Sequence, residues 1–195
     1  MRVLAVTAPA VGHVLPMAPL LEAMVADGDD VTVACDESVR AHVDRTGAAF
    51  TQAGHAESAW FERLVARTRG APGDGLAPER IDHYFAPRVF GEIGGDDMVD
   101  DVLAAARALE PDLVVHETYA VVGPLVAAAC GVPSANHHLG PILAPDVLEL
   151  LNDAVSPLWR TLGLDAPGFA GVYEGTTIEI CPPSLERRAV PRGRS

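Results

Sequence analysis

At 195 residues, 49% of them apolar, the chain has the size and composition of one globular domain able to bury a core. Its formal net charge of −13 excludes nucleic acid or an anionic membrane surface as the main partner, because both require clustered Lys and Arg. The expected partner is neutral or cationic, and no apolar stretch reaches the length of a membrane span.

The chain opens with Arg2-Val3-Leu4-Ala5-Val6-Thr7, nearly all apolar, as a strand buried on both faces requires. Leu15, Ala18, Leu20, Leu21, Met24 and Val25 then recur at helical spacing. They predict a helix over 15–27 that ends at Gly28, with Pro16 in its first turn, where a missing N–H costs nothing. His13 falls in the turn between strand and helix. The run ending in Ala8-Pro9-Ala10 is too short for a signal peptide and flows straight into that helix. Residues 30–35 form a second strand, 37–46 a short helix closed by Gly47, and 48–52 a third strand.

From 54 to 95 the pattern loosens. A helix over 57–69 gives way to Gly70-Ala71-Pro72-Gly73-Asp74-Gly75, a mobile loop by composition, and then to Tyr84, Phe85 and Phe90, outside any clear core element. There follow a helix over 97–109, a strand over 111–116, a helix over 121–130 stopped by Gly131 and a strand over 132–137. A helix over 145–162 and a strand over 176–181 complete a domain spanning 1–181, and Pro182-Pro183 opens an irregular, basic tail over 182–195. Cys35, Cys130 and Cys181 stand in apolar runs without close pairing and read as buried thiols of a cytoplasmic protein.

Six strands alternating with helices define an α/β, Rossmann-like, doubly wound parallel sheet with helices on both faces, whose simplest strand order is 3-2-1-4-5-6. That order makes strands 1 and 4 neighbours, with connections leaving toward opposite faces and a ligand crevice between them. The residues just past those strands are His13 and Glu117. An imidazole facing a carboxylate is suited to deprotonating a hydroxyl near neutral pH: one accepts the proton, the other fixes the tautomer and stabilises the imidazolium. Two fields oppose each other on His13, the N-terminus of the following helix disfavouring the cation and Glu117 favouring it.

Other readings compete for these residues. Glu117 could cap the helix that follows it. Asp96, Asp97, Asp100 and Asp101 look like an acidic metal or diphosphate motif, but acids in the first turns of a helix are favoured by its dipole and need no ion. His116, His137 and His138 lie near strand ends and could join Glu117 around a metal, though no paired ligand spacing supports this, and the expectation is no metal. A dinucleotide-binding domain would use Asp36 as its ribose-binding acid, yet the first turn offers only Gly12 where three glycines are needed. A noncatalytic module that binds an apolar small molecule or docks on a partner is the remaining alternative.

Five motifs then converge in order and spacing: Gly12-His13-Val14-Leu15-Pro16-Met17-Ala18-Pro19-Leu20, the turn and strand from Gly28 to Ala34, Pro111-Asp112-Leu113-Val114-Val115-His116-Glu117, Gly123-Pro124-Leu125-Val126-Ala127-Ala128, and Gly131-Val132-Pro133. Together they resemble the N-terminal half of bacterial GT-B glycosyltransferases of the UDP-glycosyltransferase-like family, of the kind that glycosylate antibiotic aglycones. The resemblance covers nearly the whole chain. It implies that His13 is the general base, that Glu117 supports it, and that the complete enzyme inverts the anomeric centre without a catalytic metal. It also implies that a second domain, absent here with its His-Cys-Gly type motif, holds most of the dTDP- or UDP-sugar donor, with no further cofactor. The chain then reads as an acceptor-binding half, whether an excised domain, a truncated product or a subunit of a split enzyme, and as inactive alone. Trp60, Phe61, Tyr84, Phe85, Phe90 and His138 become the wall for a hydrophobic acceptor, with satellite core as the competing reading of the aromatics. An apolar face left by the missing domain would favour self-association into a homo-oligomer.

Overall fold

Alternate residues of strand β1 (Arg2–Val6) face opposite sides of one sheet, and both sides are packed: Val3 and Ala5 meet one helical layer, Leu4 and Val6 the other. The computed structural model describes residues 1–68, 73–182 and 184–185. Residues 70–72 of the expected loop, and most of the expected tail, lie outside the described residues.

The remaining strands are β2 (Asp30–Cys35), β3 (Ala49–Gln52), β4 (Leu113–Glu117), β5 (Ser134–His137) and β6 (Thr176–Ile178). All pair in parallel in the order β3-β2-β1-β4-β5-β6, the order expected from the sequence. The helices, in chain order, are α1 (Val11–Ala26), α2 (Arg40–Val43), α3 (Glu57–Arg67), α4 (Ile81–Phe85), α5 (Gly95–Leu109), α6 (Val122–Cys130) and α7 (Pro145–Thr161). Val14, Met17 and Leu21 of α1 and Val43 of α2 cover one face of the sheet. Leu64 of α3, Val102 and Ala106 of α5, and Val126 of α6 cover the other. Leu148, Leu151, Val155 and Trp159 of α7 join Leu125 of α6 in a third apolar cluster. No helix among the described residues is long and apolar enough to cross a membrane.

The structure departs from the sequence reading in four places. Helix α1 begins at Val11 rather than near residue 15, so His13 sits in the first helical turn and Pro16 in the second. Pro16 and Pro19 deprive the carbonyls of Gly12 and Leu15 of partners, but both of those residues are exposed and water can serve instead. Secondly, much of the loose 54–95 segment is helical: a turn over Pro78–Arg80, then α4, then a π-helix over Ala86–Gly94 that runs into α5. Gly91, Gly94 and Gly95 are each a point of close approach. A Cβ there would lie 2.7 Å from the Ala154 side chain, 2.8 Å from the Trp60 ring and 2.8 Å from Leu158 respectively. Thirdly, β6 ends at Ile178 rather than at 181. Lastly, only Cys35 is a buried thiol, pushed up to about 12 by burial; Cys130 and Cys181 are partly exposed.

His116, fully buried on β4, packs against Gly123 of α6 so closely that a Cβ at 123 would overlap the His116 side chain. Burial pushes the His116 imidazole down to about 4. An unfolded histidine takes its proton near pH 6.5, so the contribution of neutral His116 to stability is whole above that pH and drains away as pH falls toward 4, by about 3 kcal/mol in all. The expected result is a His116 NMR signal that keeps its neutral shift throughout the range where exposed histidines titrate. Titration alongside those histidines in the folded protein would contradict it.

Candidate active site

Strand β1 ends at Val6 and β4 at Glu117, and the two strands are direct neighbours in register. The chain leaves β1 through Thr7–Ala10 into α1, which brings the His13 ring back over the end of β4. There His13 Nδ1 lies 3.1 Å from Glu117 Oε1. Glu117 is fully buried and held on both oxygens: Oε1 also accepts the Ala8 N–H at 3.1 Å, and Oε2 the Tyr119 N–H at 2.6 Å. It does not cap α6, which begins five residues later with no side-chain cap. A carboxylate only accepts, so Nδ1 carries the hydrogen and Nε2 presents a lone pair. The His13 side chain is 14% exposed. Burial opposes its charged form, but the charge and hydrogen bond of Glu117, helped by Glu57, prevail and hold the imidazole above its ordinary pKa. A fixed, partly exposed base with a raised pKa can take a proton from a hydroxyl.

Two aromatic rings enclose that imidazole. Phe90, from the π-helix, lies 5.3 Å from His13 between ring centroids, and Tyr119 5.7 Å, while the two are 4.6 Å from each other. Trp60 lies behind Phe90, edge-on at 6.2 Å, and is itself 1% exposed, so it supports Phe90 rather than offering a face to a ligand. Phe61, Phe85 and Tyr84 form a separate string, with centroids 6.0 Å and 5.1 Å apart, and Arg88 stacks on Tyr84 at 4.4 Å. His138 is buried edge-on to Tyr173, its backbone N–H bonded to Ile178 O.

Beside Tyr119 opens a cavity of about 510 Å³, walled by Asp82, His83, Thr118 and the apolar loop Leu139–Ala144. Sequence reasoning missed Tyr119 and this loop. The signal was available: Tyr119 stands two residues past Glu117, and Leu139-Gly140-Pro141-Ile142-Leu143 is an apolar run just past β5, at the end of the sheet where such folds bind ligands.

The competing readings fare differently. Asp97 is more than a dipole-favoured acid. Its side chain, 2% exposed, accepts from the His55 amide at 2.7 Å and the Trp60 indole at 2.8 Å, and meets the His55 ring at 2.8 Å and Arg63 at 2.6 Å. Asp36 is engaged by the Ser38 N–H and the Gln52 amide, which leaves it poorly placed to receive a ribose. Among the described residues no three His, Cys, Asp or Glu side chains are grouped to hold a metal.

The doubly wound six-stranded sheet defines the class: this is the fold of one half of a GT-B glycosyltransferase. Residues 82–188 match the family described as erythromycin biosynthesis protein CIII-like, N-terminal domain, and the chain belongs to that family. It is 31% identical over 190 residues to the L-demethylnoviosyl transferase of Streptomyces niveus, covering 95% of this chain and 46% of that protein. Glycosyltransferase SsfS6 of Streptomyces sp. SF2575 superposes with a TM-score of 0.79 at 28% identity, over 95% of this chain and 52% of that one. SnogD from Streptomyces nogalater gives 0.68 at 30% identity, over 94% and 46%. SsfS6 has also been solved with thymidine diphosphate. The chain spans about half the length of these relatives.

Proposed function

We propose that this chain is the acceptor-binding half of an inverting glycosyltransferase that moves a sugar from a nucleotide sugar to a hydroxyl of a hydrophobic natural product. The observation that carries the reading is the 3.1 Å pair of His13 and Glu117, with the carboxylate fixed by two backbone N–H groups and the imidazole facing Phe90 and Tyr119. The acceptor lies in the cavity beside Tyr119, its apolar body against Leu139, Pro141 and Leu143. Its hydroxyl donates to His13 Nε2. As the proton passes to that nitrogen, the oxygen attacks the anomeric carbon from the face opposite the departing diphosphate, and Glu117 stabilises the imidazolium formed. The donor, a thymidine or uridine diphosphate sugar, is held mainly by the portion of the relatives' length that this chain does not match.

Two measurements on the 195-residue chain test this. A hydroxylated apolar aglycone titrated into labelled protein is expected to shift the signals of His13, Tyr119 and residues 139–144; shifts confined elsewhere would contradict the assignment. Calorimetry with thymidine diphosphate is expected to show no binding at micromolar concentrations. A low-micromolar Kd would refute the division of labour between acceptor and donor halves.

A further inference from the structure

The acceptor cavity beside Tyr119 has a neighbour. A second cavity, also of about 510 Å³, adjoins it, and among the described residues His83 alone lines both. The two follow one face of α7: Val147 lines the acceptor cavity, Leu150 and Ala154 line the neighbour, and residues three and four apart lie one above another on a helix. On α4, Asp82 lines the first cavity and Tyr84 the second. The cavities are thus successive stretches of one groove along the seam of α4 and α7. From Val147 to Ala154 the helix advances about 10 Å, and His83 stands across the groove between them.

The ring is set there by one polar tie. His83 Nε2 lies 2.7 Å from Asp146 Oδ2, joining α4 to the first turn of α7, and the other oxygen of Asp146 accepts the Val147 N–H at 3.1 Å. A carboxylate only accepts, so Nε2 carries the hydrogen. Nδ1 has no partner among the described residues, which leaves the Asp146 bond to fix the direction of the ring. The His83 side chain is 21% exposed and α4 buries no residue, so the ring can be changed without opening the core. Beyond it, Leu76, Leu150 and Ala154 give the groove an apolar lining, while its Arg80, Glu92 and Asp153 are exposed.

We propose that His83 sets the length of the acceptor. With its ring tied to Asp146, the acceptor site ends at His83 and the groove beyond it stays unfilled. The substrate is a compact hydroxylated apolar molecule contained in one cavity, within the range of about 300–1,000 Å³ common for small-molecule sites, and an acceptor with a long tail is stopped by the ring. This inference rests on the acceptor reading given above.

4-Alkoxyphenols with ethyl, butyl, hexyl and octyl chains are the probes, since they pair one hydroxyl with a tail of graded length. In NMR titrations of the 195-residue chain, affinity is expected to rise about fourfold per methylene while the tail is being buried, and then to level off at the ring. Signals of Tyr119 and residues 139–144 should shift, and those of Leu76 and Ala154 should stay in place even with the octyl member. In His83→Ala the levelling should come at least two methylenes later, which raises the octyl-to-ethyl affinity ratio by about tenfold or more. The longer members should then shift Leu76 and Ala154. Asp146→Ala, which keeps the ring but unties it, should raise the ratio by less. An unchanged ratio in His83→Ala, or Leu76 and Ala154 signals that already move with the octyl member in wild type, would overturn the role of His83 and leave the acceptor site standing. If no member shifts His13 and Tyr119, the acceptor assignment itself is overturned, and this inference with it.

Discussion

His13→Ala, made in the complete transferase, is expected to lower turnover by roughly 10²–10⁴ while acceptor binding changes little. The imidazole contributes chiefly once the hydroxyl proton begins to move, so its loss is felt in the transition state and hardly in the bound ground state. Stability should move little as well. The ring is 14% exposed, and Glu117 keeps its two backbone donors when His13 is gone, so no unpaired buried charge is created. A folded His13→Ala enzyme with near-normal turnover would remove the catalytic assignment. Glu117→Gln is the companion change. It also lowers turnover, because burial, the largest influence on His13, is then opposed only by the more weakly acting Glu57, and the imidazole pKa falls. It costs stability too, since an amide has one accepting atom where the carboxylate offers two, and the Ala8 and Tyr119 N–H groups need both.

Asp97→Ala is expected to destabilise the chain by about 3 kcal/mol, the range for removing one member of a buried charged network. Asp97 is where three segments meet. It anchors the chain after β3 through His55, holds the indole of Trp60 on α3, and pairs with Arg63 one turn further along. Burial works against its charge, but the indole, the His55 amide and ring, and Arg63 together hold the carboxyl below the usual range. Its contribution is therefore whole above the unfolded pKa near 3.9 and is lost as pH falls through the lower folded value. In the alanine variant the Trp60 indole N–H loses its acceptor, and the ring behind Phe90 is held less firmly. Chemical denaturation measures the loss. Asp97→Asn, which keeps one acceptor, should fall between alanine and wild type, and an alanine variant as stable as wild type would show that the network contributes nothing.

Much of the sheet was legible because its punctuation is local. Gly28, Gly47 and Gly131 take positive φ at the ends of helical segments, and the apolar runs between them are of strand length. Once six strands alternate with helices, 3-2-1-4-5-6 is the simplest strand order, and that order places His13 and Glu117 past the ends of neighbouring strands, as observed. What the sequence concealed depends on partners distant in the chain. The 54–95 pattern looks loose because Gly91, Gly94 and Gly95 have no use until Ala154, Trp60 and Leu158 press on them. Asp97 looks like one more acid in a first turn until residues 55, 60 and 63 converge on it. Trp60 and Phe90, read as members of one aromatic wall, divide into a support and a lining because α3 buries Trp60 while the π-helix carries Phe90 between it and His13. The expected start of α1 falls too late because Pro16 fits a first turn equally well, whereas the Val14 N–H donates to Ala10 O at 3.1 Å and opens the helix at Val11.

The central claim is that His13 is the base and Glu117 sets its basicity. The most direct test is the pH dependence of kcat/KM, measured in the complete transferase with wild-type and Glu117→Gln proteins beside an NMR titration of His13 in each, because this ratio reports the pKa values of the free enzyme. The account predicts that activity rises with pH along a limb whose midpoint coincides with the raised pKa of His13, and that in Glu117→Gln both the limb and the NMR titration move together to lower pH. A limb that stays in place while the His13 titration moves, or a rate that ignores the protonation of His13, would contradict it.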